Sequence, residues 1–294
     1  MSILPHVAIR ATLAAALAVL AVPATAQTVN APAEPNAMPD PAMGGDTVTV
    51  AIAGAYLPDY EGSDDYRLVP GPAAIGSVGG HAFTILGNRA SIDLIPNQPG
   101  PTWDVQLGPV GVINFNRNSV NSIDDPRIKA LGKVGTAIEL GGYAGIGKTG
   151  VLTSPYDKLS ASISYRYDVN GVHKSGILTP SINYFTPLSL KAAVGLFAAA
   201  ERVESKFGQT YFSVDAAAAA RSGLPQYQAR GGWKHWTVGL AGTYSLTGNL
   251  LKGVKLIAGG SYKRMLNDYG DSPLVSIAGS RSQWLGAVGI GYTF

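Results

Sequence analysis

The sequence predicts an all-β chain, a transmembrane antiparallel up-and-down β-barrel of about 12 strands with long extracellular loops. Three observations carry this. First, the chain closes on S-Q-W-L-G-A-V-G-I-G-Y-T-F, Ser282 to Phe294. Trp284, Val288, Ile290, Tyr292 and Phe294 share one parity; Gln283, Leu285, Ala287, Gly289, Gly291 and Thr293 share the other. Side chains alternate faces along a strand, so one face is apolar with aromatic ends and the other is small or polar. Trp284 and Tyr292 stand roughly 26 Å apart along such a strand, or roughly 20 Å after a tilt of about 40°, close to the lipid-facing band between two aromatic girdles. Second, the same alternation recurs along the chain. Third, hydrophobic residues make up 46% of the sequence, yet beyond the N-terminal region no run approaches the length of a spanning helix.

The N-terminus predicts export. Arg10 precedes the apolar run Ala11 to Val22, and Ala24-Thr25-Ala26 forms an A-x-A cleavage site, so 1–26 reads as a signal peptide. Residues 27–46 are rich in Pro and Ala and read as a periplasmic linker, the alternative being a partner-binding tail. Residues 47–294 form the barrel. The chain has no cysteine, which excludes a disulfide framework and thiolate chemistry. Its 22 basic and 19 acidic side chains are near balance, so nucleic acid is not an expected partner. Glycine, 37 of 294 residues, is well above the average of about 7%.

Twelve strands follow in order, at about 47–57, 66–77, 80–86, 89–95, 102–115, 132–146, 157–168, 176–186, 190–201, 232–246, 252–264 and 282–294. In the first, Val48, Val50, Ile52 and Tyr56 oppose Thr49, Ala51, Ala53 and Ala55. In the fifth, Trp103, Val105, Leu107 and Ile113 oppose Asp104, Gln106 and Asn114. In the sixth, Val134, Ile138 and Leu140 oppose Lys133 and Glu139. The seventh and eighth carry serines, threonine and asparagine on the inner face. In the tenth, Trp236, Val238, Leu240 and Tyr244 oppose His235, Thr237 and Thr243. An even strand count places both ends in the periplasm. The long connections 116–131, 202–231 and 265–281 then lie outside, and the turns 96–101, 187–189 and 247–251 inside, with 147–156 longer than a periplasmic turn should be.

Three stretches carry a resemblance. Asp59-Tyr60-Glu61-Gly62-Ser63-Asp64-Asp65-Tyr66 is followed by Pro70. Tyr211-Phe212-Ser213-Val214 is followed by Ser222-Gly223-Leu224-Pro225-Gln226-Tyr227. Asp271-Ser272-Pro273-Leu274-Val275 precedes the last strand. In order and spacing these are similar to the MipA/OmpV family of outer-membrane proteins, over about residues 47 to 294. The resemblance implies an outer-membrane barrel in contact with outer-membrane lipid. It further implies a scaffold joining a lytic transglycosylase to a penicillin-binding protein, with a small-solute diffusion channel or a surface adhesin as alternatives. Tyr292 and Phe294 read as a C-terminal assembly signal for the barrel-assembly machinery. A monomer without enzymatic activity, cofactor or metal is expected.

The residues offer little chemistry of their own. Asp59, Glu61, Asp64 and Asp65 could hold Ca²⁺, but they lack an EF-hand pattern and read as an exposed acidic hairpin loop, with Gly62 at the turn and Ser63 capping it. His81, His173 and His235 are scattered. A pair between His235 and Ser222 is geometrically conceivable, yet no serine-hydrolase signature surrounds any serine. Inward charges of both signs (Arg89, Asp93, Asp104, Lys133, Glu139, Arg166, Lys255 and Lys263) point to a salt-bridged plug over a selective pore. The 202–231 loop, with its Gly223 and Pro225 turn, reads as an ordered lid with a short helix at Val214 to Arg221, the alternative being a recognition or gating loop.

Overall fold

In the computed structural model, residues 46–97 and 102–294 are described. The segments expected to be a signal peptide (1–26) and, apart from Asp46, a linker (27–46) lie outside them. The strands are β1 (Thr47–Pro58), β2 (Tyr66–Val78), β3 (His81–Leu86), β4 (Arg89–Ile92), β5 (Trp103–Asn114), β6 (Ala137–Thr149), β7 (Lys158–Asp168), β8 (Gly176–Pro187), β9 (Ala192–Val203), β10 (Gly232–Ser245), β11 (Gly253–Met265) and β12 (Ser282–Thr293). Each pairs antiparallel with its neighbour in sequence, and β1 pairs with β12 from Thr49↔Thr293 to Tyr56↔Gly286, closing the barrel. Among the described residues no helix is long and apolar enough to cross a membrane; the strands make the crossing.

Burial is inverted relative to a water-soluble protein. Ile52, Leu107, Trp284 and Ile290 are exposed on the outer wall, whereas Glu139, Arg166 and Lys234 are buried inside. Only lipid makes that distribution favourable, because the outward aliphatic faces then lie in hydrocarbon. Aromatic rings band the wall at two heights. Tyr262 sits between Trp236 and Trp284, with ring centroids 5.4 and 4.8 Å away, and Tyr56 stacks on Tyr66 at 5.3 Å. At the other rim Tyr292 meets Phe294 at 4.8 Å, and the Phe294 N–H donates to the Val48 carbonyl at 2.9 Å.

Several strand bounds differ from the sequence expectation: β6 runs on to Thr149 rather than ending near 146, β9 is shifted by two residues to Ala192–Val203, and two further differences have a visible cause. β6 begins at Ala137 rather than near 132, because Val134 N–H donates to the Arg117 carbonyl and the Arg117 guanidinium donates to the Gly132 carbonyl. Those bonds hold 132–134 to the 115–136 loop. Lys133 is therefore exposed and is not an inward charge. β4 stops at Ile92 because the Asp93 carboxylate accepts the N–H groups of Ile95 and Leu107, ending the ladder. The short β3–β4 hairpin covers β2 only from Ala73 onward. Above it β2 carries Pro70 and Pro72, which have no N–H to leave unpaired on that edge.

Five short helices cap the end opposite the termini: α1 (Pro126–Leu131), α2 (Ser205–Phe212), α3 (Ala216–Ser222), α4 (Asn267–Asp271) and α5 (Pro273–Ser276). The helix expected at 214–221 is α3. Its N-terminus is capped by Asp215, whose carboxylate accepts from Ala218 N–H at 2.7 Å, and it ends at Gly223 in the left-handed region with φ 72°.

Candidate functional site

The site with the densest chemistry is the mouth beneath these helices. It starts from the β1–β2 loop. Asp59 N–H donates to the Asp65 carbonyl and Ser63 N–H to the Tyr60 carbonyl, so the loop is a tight knot. Gly62 at φ 107° makes the turn, and a Cβ there would run into Val275 of α5. The knot folds inward. Tyr60 is 2% exposed and its hydroxyl donates to the Leu274 and Ala278 carbonyls. Asp59, Glu61 and Ser63 are buried too. The expectation of an exposed acidic loop is thus overturned, for a physical reason: Glu61 finds cationic partners inside the barrel. Burial alone would push its carboxyl up, but the Lys234 and Lys263 charges outweigh it and hold Glu61 below the usual carboxylate range.

From Glu61 an ionic belt crosses the lumen. Lys234 Nζ lies 3.0 Å from Glu61 and 2.5 Å from Glu201. Lys263 reaches Glu61 at 3.4 Å. Arg166 bridges Glu201 at 2.7 Å and Glu139 at 2.6 Å. Asn114 donates to Glu139 at 2.9 Å and His173 Nε2 lies 3.3 Å from it. Three carboxylates (Glu61, Glu139, Glu201) meet three fixed cations (Lys234, Lys263, Arg166), so the belt is charge-balanced. Buried charges persist only when paired in this way.

Over the belt lies an aromatic layer. Phe207, Tyr211 and Phe212 of α2 pack with Tyr269 of α4 and with Ile177, Val203 and Met265 from the strand ends. Phe207 also stands 4.4 Å from Lys234 Nζ, a cation–π contact. A second cluster joins Tyr60, Ile123, Ile128, Val214, Ala218, Leu224, Leu274 and Ala278, drawing on four different loops. Ser272 Oγ donates to the Phe212 carbonyl and Tyr227 OH to the Asp268 carbonyl. Arg117 donates to the Tyr211 carbonyl, and burial pulls its guanidinium down to about 10. The mouth is shut by an ordered lid.

The motifs singled out in the sequence converge here. Tyr60, Glu61, Gly62 and Ser63 form the knot; Tyr211 and Phe212 form the aromatic layer; Leu224 and Tyr227 pin the loop after α3, with Gly223 at its turn and Pro225 exposed. Ser222 Oγ donates to the Ala218 carbonyl and accepts from Leu224 N–H, while His235 sits 3.5 Å from Glu61; the conceived Ser222–His235 pair is not formed. Tyr292 and Phe294 stand apart, at the opposite rim on the lipid face. Asp59, Asp65 and Asp124 bring carboxylate oxygens within 4.8 Å of one another at the lid edge, but Glu61 and Asp64 do not join them.

Two belt residues, Lys234 and Glu201, escaped the sequence reading. Lys234 is inward because a β-bulge lies between Trp233 and His235, so both Lys234 and His235 face the lumen. A signal was available. Trp233 and Trp236 are three apart and both face lipid, which strict alternation forbids unless one residue is inserted between them.

No curated protein matches the chain. Among solved structures, the NanC porin is 9% identical with a TM-score of 0.43, covering 83% of this chain and 98% of that one. An anion-selective porin from Comamonas acidovorans is 11% identical with a TM-score of 0.35, covering 85% and 99%. Those scores are too low to support an argument. The family model for the MltA-interacting protein MipA matches residues 50–294. With its closed twelve-stranded wall, its girdles and its lid, the chain is an outer-membrane β-barrel that belongs to the MipA family.

Proposed function

We propose that this protein is a closed, non-enzymatic, monomeric barrel that holds peptidoglycan-remodelling enzymes, a lytic transglycosylase and a penicillin-binding protein, at the inner face of the outer membrane. The observation that carries this is the shut mouth: a charge-balanced belt under a packed lid suits a scaffold better than a diffusion path. The family's description, MltA-interacting protein, supplies the class of partner.

The end facing the periplasm offers a surface for it. Asp157 organises the turn between β6 and β7 by accepting the N–H groups of Val151, Leu152 and Thr153. Thr153 Oγ1 lies 2.7 Å from Thr186 Oγ1 at the end of β8. Leu250 N–H donates to the Leu190 carbonyl, joining the β8–β9 and β10–β11 turns. This rim exposes Leu152, Tyr156, Leu188, Leu190 and Leu246. An ordered apolar rim costs little conformational entropy to bind. The 27–46 linker is a second candidate contact.

The test places a photo-crosslinking residue at Leu152 or Leu190 in intact cells. Capture of a lytic transglycosylase or penicillin-binding protein from these positions, and not from Leu68 on the lipid face, is the expected outcome. Absence of both enzymes, with the barrel-assembly machinery captured as a control, would remove the scaffold reading. Conductance in a planar bilayer would then favour the solute channel, and loss of surface binding on deleting 202–231 the adhesin.

A further inference from the structure

The two halves of the lumen are filled differently below the belt. Along the arc from β5 to β8 many inward side chains are polar and tightly packed: Gln106, Ser160, Ser164 and Asn183 are each 3% exposed or less, with Val110, Val112 and Phe185 also buried on these strands. Asp104 and Lys158 pair there at 2.6 Å, and Tyr143 of β6 is buried on the same arc. Along the other arc, from β9 through β12 to β3, a group of small or apolar inward side chains stays half-buried although they face the inside of a closed wall, between buried polar residues such as Thr237, Thr243 and Lys255. Ala51, Ala73, Phe197, Ile257, Leu285 and Ala287 line a cavity of about 170 Å³ there.

Its lining decides what it can hold. Thr49 and Ser261 are the two lining side chains with a hydroxyl. A buried water needs two to four polar partners, so this volume suits water poorly; an apolar cavity of about 150 Å³ stays dry and takes benzene. The Phe197 ring packs over Gly239, where an added Cβ would strike its Cζ, and the ring lines the cavity. Aromatic faces favour an offset or edge-on second ring.

We propose that this cavity is a binding site for a small neutral apolar molecule of about the size of one aromatic ring. The occupant is a free molecule and not a lipid tail. On this arc the wall is hydrogen-bonded from β9 to β2, with one bulge near the lid, so no acyl chain passes through it. The lid closes the top, which leaves the terminal end as the way in. This site is independent of the scaffold reading, since its lining shares no residue with the periplasmic rim.

The test uses the purified full barrel in lipid nanodiscs with fluorobenzene as the probe, observed by fluorine NMR against empty nanodiscs. Saturable exchange broadening is expected for the wild type. Ala287→Phe, which fills the cavity, should weaken binding by about tenfold or more, and Phe197→Ala should admit a larger ring such as fluoronaphthalene. Absence of saturable binding to the wild type would overturn the proposal. So would unchanged binding to an Ala287→Phe barrel that retains heat-modifiable mobility. If Ala287→Phe fails to fold, Ala51→Val takes its place with a smaller expected loss, and unchanged binding there has the same meaning.

Discussion

The lid and the β6–β7 turn, at opposite ends of this barrel, are ordered by contacts of opposite range. At the lid end Glu61 meets Lys234 across 173 residues of chain, and Tyr60 meets Ala278 across 218. At the terminal end Asp157 binds N–H groups four to six residues away. The lid is held by contacts across the whole sequence, whereas the β6–β7 turn at the other end is held mainly by its own residues. Damage should therefore spread from the lid and stay confined at the turns.

The strongest test of that contrast is Lys234→Ala. It leaves Glu61 and Glu201 buried without their shared cation, and breaking a buried pair from one side costs about 3–5 kcal/mol. The lid should open as a unit, seen as new tryptic cleavage at Arg221 and Arg230 and as new conductance. Cleavage confined to one loop would contradict a cooperative lid. Next is Gly62→Ala, which forces a side chain into the left-handed region and against Val275. A loss of about 1–3 kcal/mol is expected in denaturant unfolding, with lid exchange protection falling before that of the strands. Asp157→Asn should cost about 1–2 kcal/mol and raise hydrogen exchange at 150–157, leaving lid proteolysis unchanged; a change at the lid would erase the distinction between the ends.

Acidification gives the smallest effect near neutrality. Glu61 has an ordinary value of 4.5 and is held below it in the folded lid. Its contribution is therefore complete above about pH 4.5 and is lost as pH falls through the lower folded value. Tryptic sensitivity of a sample refolded to neutral pH after brief acid exposure, read against pH, should be flat from neutrality to below 4.5. An earlier rise would mean that Glu61 is not the ion that closes the belt.

Most of the wall was legible in the residues. Alternation at Trp236 to Tyr244 and Trp284 to Tyr292 identifies lipid-facing strands because lipid and lumen impose opposite polarity on successive side chains. The lid was legible only in outline. Asp215 and Gly223 are local caps, so α3 could be read from its own sequence, whereas α2 has no side-chain cap and forms under aromatic packing supplied by Tyr269 and Met265. Glu61 looked solvated because its partners lie on β10 and β11. Lys133 looked inward because alternation cannot see Arg117 drawing 132–134 back into a loop. Lys234 was hidden by a bulge that reverses the parity of Trp233 and Lys234 relative to the rest of β10.

The range of the Glu61 contacts also sets an order of events. Glu61 belongs to the first hairpin, but Lys234, Lys263 and Gln283, which meet Glu61 or its neighbour Ser63, arrive only with the last three strands. Contacts of such separation form late, after the intervening chain has been confined. A barrel whose wall has zipped but whose β10–β12 segment is not yet seated therefore keeps Glu61 hydrated and its mouth wet. Closure of the lid is a record that the final seam has been sewn, and the folding kinetics should carry it as a separate, slower phase.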